Sequence, residues 1–402
     1  MVVTTWTQRG AVQSGGGGQE QGVSRSAEGP LLAPSLLFLA GTTTLRSFRL
    51  TILMPEELQD AITSQRVESD ALKQKLDARS KSMADTNLRL AASHVPAIRS
   101  LNIKRQMTMR CQSSKVPALT WSNEGRYLLT ASQDGYLVLW NPHHGQKVQA
   151  IPTPVPYVMC CAYCPSGLLV ASGGLDNACS IYNLRHRESA VDVPVEHTLV
   201  GHSGYISACE FLDDYTLFTA SGDGTIVQWD TESETPVHTF SEHQGDVLSL
   251  ALSPTSPDVF VSSGIDSHVR VWDRRTGRVQ HTFTGHRSDV NSVAMFPDGM
   301  ALASSSDDGT CRLWDVRSQR ELNIYEPATS ASPVKSIAFS RSGRMLCAGY
   351  ENHKCVVWDT LRAEAVATLT GHDARVTCVR TCPTGERFAT AGWDGKVVVW
   401  GI

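Results

Sequence analysis

An aromatic residue recurs at a nearly constant spacing through residues 103–402, and this repeat constrains the fold more than any other feature. The successive gaps are 42, 47, 43, 42, 44 and 42 residues, and six residues before each anchor stands an Asp or, once, an Asn. Short runs of alternating apolar and polar residues, separated by Asp-Gly turns, predict tight antiparallel hairpins in every unit. One small sheet cannot bury both of its faces, so we expect the units to stack into a closed ring. The anchors are Trp140, Tyr182, Trp229, Trp272, Trp314, Trp358 and Trp400.

The end of the chain indicates how the ring closes. Trp400 lies two residues before the C-terminus, so the last unit lacks an outer strand. The segment 103–110, just before the first unit, has no other partner in the repeat. We predict that it supplies the missing strand and removes an open sheet edge. The repeat is similar to that of WD-repeat β-propellers, and the predicted fold of residues 98–402 is therefore an all-β propeller with seven blades.

Four units carry a histidine 21 to 23 residues before their Asp. In one unit His202, Ser221 and Asp223 could form a hydrolase triad. The same residue types recur in other units, however, whereas a catalytic site is needed once. We therefore expect the His, the Asp, a hydroxyl and the indole to satisfy one another inside each blade. The predicted members of this structural network are His202, Ser221, Asp223, Trp229, His243, Asp266, Trp272, His286, Asp308, Trp314, His372, Asp394 and Trp400.

Residues 54–97 differ from the repeats. The stretch 56–92 contains no Gly or Pro and is rich in helix-forming residues, which predicts one long α-helix. Its apolar residues follow a 3-4 spacing that polar residues interrupt, as in a weak coiled coil. A helix that lies on its own domain is the alternative, but the polar seam positions favour a separate partner helix over self-pairing. The apolar seam residues are Leu58, Ile62, Leu72, Leu76 and Met83.

Residues 1–53 have no sustained periodicity and include the run Gly15–Gly18. We expect them to be disordered or an alternative N-terminal extension, with Met54 as a second possible start of translation. The apolar stretch 31–41 resembles the core of a signal peptide, but it contains Pro34 and has no basic residue immediately before it. No run reaches the roughly 18 apolar residues that a membrane-spanning helix needs.

Charge and cysteine usage argue against several classes of function. Lys plus Arg number 36 and Asp plus Glu 40, and the resulting net charge of −4 does not favour a nucleic-acid-binding surface. The 11 cysteines are too sparse for a disulfide scaffold and fit a reducing compartment. Cys160, Cys161 and Cys164 resemble half of a metal site, but no second pair stands at zinc-finger spacing, so we interpret them as small core residues. We expect neither a metal nor a cofactor.

One aligned position differs from unit to unit and should lie at one mouth of the central channel. Tyrosines, acids and bases share this position, so it has no common structural role. Such a mixture is typical of a hot spot for a protein partner, although a solvated loop rim is the alternative. Trp393, in a predicted exposed turn, favours the partner interpretation. The aligned residues are Lys115, Tyr157, Tyr205, Asp246, Asp289, Pro333 and Arg375.

A long helix followed by one seven-bladed propeller resembles the β subunit of heterotrimeric G proteins. The likeness extends to motifs such as GGLDNACSIYNL at 173–184 and SDDGTCRLWD at 306–315, and it covers about residues 56–402. It implies a non-catalytic signal transducer. Residues of the helix, Leu58, Ile62, Leu72, Leu76, Met83 and Leu88, would bind a prenylated Gγ subunit.

The resemblance further implies that Gα in its GDP state and effectors compete for the channel mouth. The chain would act with a receptor complex at the inner face of the plasma membrane, and it would reach the membrane only through Gγ and Gα. The positions implied for Gα and effectors, together with Arg375 from the aligned ring, are Lys115, Tyr157, Leu175, Asn177, Tyr205, Asp246, Leu248, Asp289, Asp307, Arg375 and Trp393.

Three residues depart from the family pattern. Tyr157 stands where Trp is usual, Pro117 where Tyr is usual, and Leu248 where Met is common. These differences bear on effector choice and on affinity for Gα. Another WD-repeat scaffold with an oligomerisation helix, such as a co-repressor or a ubiquitin-ligase adaptor, is the alternative function. An enzyme that uses the channel is disfavoured because no unrepeated set of acid, base and nucleophile is present.

Overall fold

The computed structural model of the chain describes residues 64–65, 67–68, 71–72, 75, 88–98, 101–111, 114–186, 193–327 and 332–401. The chain divides into two units, Met1–Ser80 and Lys81–Ile402, and the whole repeat belongs to the second. The predicted extension 1–53 lies outside the described residues, as do Leu58, Ile62, Leu76 and Met83 of the predicted helix.

The described part of the repeat forms seven four-stranded antiparallel sheets, which confirms the predicted seven-bladed propeller. The first strand of every blade contacts the first strands of both neighbouring blades, so these strands line the central channel. From the channel outward, the strands are Ala118–Trp121, Leu128–Ser132, Tyr136–Asn141 and Gln146–Pro152 in blade 1; Val158–Tyr163, Leu169–Gly174, Ala178–Asn183 and Val195–Val200 in blade 2; Ile206–Phe211, Thr216–Ser221, Ile226–Asp230 and Thr235–Phe240 in blade 3; Val247–Leu252, Val259–Gly264, His268–Asp273 and Arg278–Thr284 in blade 4; Val290–Met295, Ala301–Ser306, Cys311–Asp315 and Arg320–Tyr325 in blade 5; Val334–Phe339, Met345–Tyr350, Lys354–Asp359 and Glu364–Thr370 in blade 6; and Val376–Thr381, Arg387–Gly392, Lys396–Gly401 and Lys104–Arg110 in blade 7.

The predicted closure of the ring is also confirmed. Lys104–Arg110 pairs antiparallel with Lys396–Gly401, with Met107 opposite Val399. The outer strand of blade 7 thus precedes blade 1 in the sequence, whereas the other three strands of blade 7 follow blade 6. This pairing covers the edge that the last unit would otherwise leave open.

The hydrophobic core is a ring of seven clusters, each lying between two neighbouring blades. The cluster between blades 2 and 3, for example, combines Ile181 and Leu199 of one blade with Leu217 and Trp229 of the next. A blade therefore buries both faces only when both neighbours are present, which explains why the ring must close.

The turn between the second and third strands has the same backbone shape in every blade. Its residue after the Asp or Asn has a positive φ throughout, between 60° and 88°. Glycine adopts this conformation without steric cost, and Asn tolerates it better than most residues. Asn177 fills the position in blade 2, Ser267 in blade 4 and His353 in blade 6, whereas the other four blades use Gly. Each blade thereby presents its Asp, or Asn352 in blade 6, at the same end of the propeller.

Only part of the predicted N-terminal helix is described. Residues 64, 65, 67, 68, 71, 72 and 75 are helical, and Leu72 is exposed. A separate α-helix, Leu88–Ala91, continues into the 3-10 helix Ala92–His94. A second 3-10 helix, Leu184–His186, follows the third strand of blade 2. Within the described residues, no helix has the length and apolar character needed to cross a membrane.

The segment 88–98 packs on blade 6. Leu88 is half-buried against the cluster between blades 5 and 6, so it contacts its own chain. Arg362 Nη2 donates to the Val95 carbonyl at 2.7 Å, and Arg344 Nη2 donates to the Pro96 carbonyl at 3.2 Å. The hydrophobic contact and these hydrogen bonds fix the chain just before it enters the propeller.

Candidate functional site

A chain of buried hydrogen bonds runs through blade 3. His202 Nδ1 lies 3.0 Å from Asp223 Oδ2, and His202 Nε2 lies 2.7 Å from Thr219 Oγ1. Trp229 Nε1 donates to the same Thr219 oxygen at 2.7 Å. A carboxylate only accepts, so the Nδ1–H of His202 donates to Asp223, and the Thr219 hydroxyl forms the second hydrogen bond of the ring at Nε2. The arrangement satisfies every polar group and leaves no nucleophile free for chemistry.

The same series of hydrogen bonds recurs in blades 4, 5 and 7. Blade 1 keeps only the hydrogen bond between the hydroxyl and the indole. Ser221 does not occupy the predicted bridging position, since its Oγ instead accepts from the Asp223 amide at 3.2 Å. Leu217 pairs with Trp229, and Thr219 is the next residue on that face of the strand, whereas Ser221 lies at the strand end near the turn. The bridging hydroxyls, always ten residues before the indole, are Thr130, Thr219, Ser262, Ser304 and Thr390.

These networks shift the acidity of their carboxyl groups. Burial opposes ionisation of Asp223, but hydrogen bonds from Thr225, the Ser203 amide and His202 outweigh it and lower the pKa of Asp223 to about 2. The pKa values of Asp266, Asp308 and Asp394 are lowered in the same way by their histidines. The carboxylates are therefore structural anions over the physiological pH range.

Blades 4 and 6 depart from the network in opposite ways. In blade 4 the buried Arg270 adds a cation, with Nη1 2.6 Å from Asp266 Oδ2. In blade 6 Ala348 stands at the position of the bridging hydroxyl, and the buried Trp358 Nε1 has no hydrogen-bond partner among the described residues. The repeat therefore does not require the network in every blade.

The basic side of the channel mouth is built around Trp393. Lys115 Nζ lies 3.8 Å from the indole centroid, and Arg375 Cζ lies 3.7 Å from it. Arg375 also pairs with Glu351 at 3.2 Å. These cations leave Trp393 half-buried rather than exposed as expected, and they hold its ring in a fixed orientation through cation–π contacts.

The acidic side of the mouth spans blades 3 to 6. Tyr205 Oη donates to Asp246 Oδ2 at 2.9 Å, and burial together with this hydrogen bond raises the pKa of Tyr205 to about 12. Asp307 pairs with Lys335 at 2.6 Å. The Asp307 amide donates to the Asp289 carbonyl at 3.0 Å, which places these two predicted residues side by side.

Blade 2 presents the apolar part of the mouth. Tyr157 is 53% exposed and has a φ of 66°, which is rare for a bulky residue. Such strain persists only where the surrounding structure enforces it, and it is commonest at functional sites. Leu175 is also 53% exposed, and Asn177 Nδ2 donates to the Ser203 carbonyl of blade 3 at 3.3 Å. An exposed aromatic and an exposed leucine are thus held by a rigid backbone.

A cavity of about 110 Å³ leads from the mouth into the channel, and Leu248 lines it. Asn291 and Lys335, which the sequence analysis missed, line it as well, and Asn291 Nδ2 donates to Asp307 Oδ1 at 2.6 Å. Both stand two residues after a position of the predicted ring, as Leu248 does after Asp246. Since residues two apart share one face of a strand, this spacing could have identified them.

The mouth offers charged, aromatic and apolar contacts to a partner. In the described part of the chain no group of three His, Cys, Asp or Glu residues is arranged to hold a metal ion. The 11 cysteines are buried and free, Cys160, Cys161 and Cys164 among them. Burial raises the pKa of Cys161 well above its usual value, so its thiol is a weak nucleophile. Aromatic, acidic and basic side chains around a rigid rim are suited to binding another protein.

Comparison with known proteins agrees with this geometry. A family model described as G protein beta WD-40 repeat protein matches residues 59–401. The guanine nucleotide-binding protein subunit beta-5b of Danio rerio is 40% identical over 343 residues, or 85% of this chain and 87% of that protein. The guanine nucleotide-binding protein subunit beta of Zea mays is 39% identical over 366 residues, or 86% and 96% of the two chains. That of Oryza sativa subsp. japonica is 39% identical over 311 residues, or 73% and 82%.

The matched region includes all seven blades and every residue of the mouth. Since both the family model and relatives at about 40% identity cover most of the sequence, the chain belongs to the WD-repeat family of G protein β subunits.

Proposed function

We propose that this chain, a G protein β subunit, is a non-catalytic transducer that binds Gα in its GDP state at the channel mouth. Effectors compete for the same surface and gain access when nucleotide exchange reshapes Gα. The relatives are named as subunits of guanine nucleotide-binding proteins, which supports an assembly of several chains. Competition of this kind requires little movement in the propeller itself.

One observation carries the proposal: the residues that differ between blades converge at one end of the channel. Trp393 is fixed there by Lys115 and Arg375, and the strained Tyr157 is exposed. Aromatic and Arg anchors near the centre of a patch supply most of the binding energy in protein interfaces. The neighbouring acids, which include Asp246, add charges of the opposite sign that can orient a partner.

A Gγ subunit is the second proposed partner. This proposal assumes the predicted domain arrangement, with an extension over 1–53, a coiled-coil helix over 54–97 and the propeller over 98–402. Leu72 is helical and exposed, as expected of a residue that awaits a partner helix, whereas Leu88 already packs against the propeller. A prenyl group on Gγ would supply the contact with the inner face of the plasma membrane, together with Gα.

Replacing Trp393 tests the proposed mouth. Trp393→Ala in the full chain, co-expressed with Gγ, should weaken binding of Gα-GDP by about 1–4 kcal/mol, the usual range for a hot spot. The affinity can be measured by biolayer interferometry with immobilised Gα-GDP. Unchanged affinity would show that Gα does not use this surface.

Tyr215→Ala is a matched control, because it truncates an exposed aromatic at the opposite end of blade 3. Tyr215 is 60% exposed and lies in the turn between the first and second strands, away from the mouth. Its replacement should change the affinity by less than about 0.5 kcal/mol, since it lies outside the proposed interface. Equal losses in both variants would point to a general defect and contradict the assignment.

A further inference from the structure

Two charged side chains lie in the lower channel, the part of the central channel that is away from the mouth. Each inner strand has a buried valine or isoleucine at or just before its start. The residue four positions further along lies about 13 Å down the channel from the mouth. Five blades place a small residue there, whereas blade 3 has Glu210 and blade 7 has Arg380. The aligned residues are Thr120, Ala162, Glu210, Ala251, Ala294, Ala338 and Arg380.

Glu210 and Arg380 do not pair with each other. Within the described residues no ion pair within 4.0 Å involves either side chain. Glu210 Oε2 accepts from the Leu252 amide at 2.9 Å, and Arg380 Nη1 donates to the Val379 carbonyl at 3.3 Å. A carboxylate has about four acceptor sites and a guanidinium has five donors, so most of the bonding capacity of both groups is unused.

Both side chains face open space. Cavities of about 360 Å³ and 240 Å³ lie at this end of the channel, and Glu210, Leu252 and Arg380 line both of them. The larger cavity also has Phe339 and Met295 in its wall. At about 30 Å³ per water molecule, the larger cavity alone has room for about twelve non-hydrogen atoms.

Partly buried charges that lack a direct ion-pair partner are costly, so these two side chains call for an explanation. Burial raises the pKa of Glu210, and the charge of Arg380 opposes that rise. The two groups have opposite sign, attract each other without forming a direct ion pair, and share an apolar wall. A ligand with one anionic end, one cationic end and a small apolar body would complement all three features.

We propose that the lower channel binds a small zwitterion, a free α-amino acid with an aliphatic side chain. Its carboxylate accepts from the Arg380 guanidinium, its ammonium group donates to the Glu210 carboxylate, and its side chain packs near Leu252 and Phe339. This site lies at the end of the channel away from the mouth, and it does not depend on the proposed binding of Gα.

Ligand-observed NMR on the full chain tests this site with L-leucine as the probe. Saturable binding with a Kd of about 1 mM or tighter is expected. Isoamylamine keeps the cationic end alone and 4-methylpentanoate keeps the anionic end alone, so each should bind at least about tenfold more weakly, the loss expected for one charged hydrogen-bonded contact. This comparison uses the unaltered chain and does not depend on the folding of any variant.

Two variants complete the test. Glu210→Gln and Arg380→Gln should each weaken leucine binding by about tenfold or more, because each neutralises one of the two charges. Glu242→Gln and Arg278→Gln make the same exchanges at exposed surface positions and should leave binding unchanged. Absence of saturable leucine binding, binding of either analogue as tight as that of leucine, or full binding by both channel variants would overturn the proposal and leave a water-filled channel.

Discussion

The Thr219 hydroxyl joins two buried side chains, and its removal gives the sharpest test of how a blade is held together. Thr219→Val keeps the shape of the side chain but removes the oxygen that contacts His202 Nε2 and Trp229 Nε1, each at 2.7 Å. Neither group can form a hydrogen bond with water instead, since the side chain of His202 and the whole of Trp229 are each about 1% exposed. The substitution therefore leaves two buried nitrogen atoms, His202 Nε2 and Trp229 Nε1, without their hydrogen-bond partner.

The expected loss of stability follows from the two buried groups that lose their hydrogen bond. A buried polar group without a partner costs about 1–3 kcal/mol, so the pair amounts to about 2–6 kcal/mol. The added methyl group offsets about 1 kcal/mol through its burial. We therefore expect Thr219→Val to lower the free energy of unfolding by about 1–5 kcal/mol, and the melting temperature by about 2 °C or more.

Thermal and urea unfolding, followed by tryptophan fluorescence, measure this loss. Thr239→Val is the matched control, because it makes the same exchange at an exposed position on the outer strand of the same blade. The control should stay within about 0.5 kcal/mol of the wild type. If Thr219→Val also stays within that limit, the hydrogen-bonded chain does not stabilise the blade and the structural interpretation of His202 is wrong.

The remaining predictions concern acidity, the helix and blade 6. The pKa of Asp223 is about 2 in the folded protein and near 4 in the unfolded chain, so its ionised form stabilises the fold. This stabilisation is lost as the pH falls from about 4 to about 2, and the free energy of unfolding should fall by about 2 kcal/mol over that range. In urea titrations the stability gap between the wild type and Asp223→Asn should narrow over that range, and a constant gap would contradict the assignment. Changing Leu72 and Leu76 together to Asp should abolish co-purification with Gγ, since charges would replace the apolar stripe; retained pairing would refute the helix as the binding element. Ala348→Ser should keep the melting temperature or raise the stability by up to about 1 kcal/mol, since it offers Trp358 Nε1 an acceptor, and a marked loss of stability would show that the site has no room.

The sequence was sufficient for the propeller because its signal repeats. Seven anchors at one period fix the number of blades, and the missing outer strand after Trp400 identifies Lys104–Arg110 as its replacement. Each of these inferences depends on local pattern and on the cost of an open edge, and neither requires the position of any distant side chain.

The bridging hydroxyl shows where sequence reasoning failed. Ser221 and Thr219 have the same chemistry and lie on the same face of one strand, so composition and period cannot distinguish them. What separates them is the register of the next strand, which sets Trp229 opposite Leu217 and leaves Thr219 as the nearer hydroxyl. A shift of two residues in that register would have made the prediction correct.

The mouth was predictable in outline and not in its contacts. Aligning the units brought Lys115, Trp393 and Arg375 to one end, but nothing in the alignment indicates that both cations contact the indole. Nor does it show that Asp307 pairs with Lys335 of the next blade. The contacts of Lys115 with Trp393 and of Asp307 with Lys335 join different blades, and they depend on the rotation between neighbouring sheets, which the period does not encode.

Blade 6 indicates how the fold tolerates the loss of its own repeated network. It has Ala348 in place of the bridging hydroxyl and leaves Trp358 Nε1 without a partner within the described residues, so it lacks a contact that five other blades have. The same blade contacts the segment 88–98 through the half-buried Leu88 and through hydrogen bonds from Arg344 and Arg362 to backbone carbonyls. The exposed ion pair between Arg89 and Glu364 adds little, because solvent screens it. Blade 6 thus combines a missing internal hydrogen bond with added contacts from the stretch of chain that precedes the propeller.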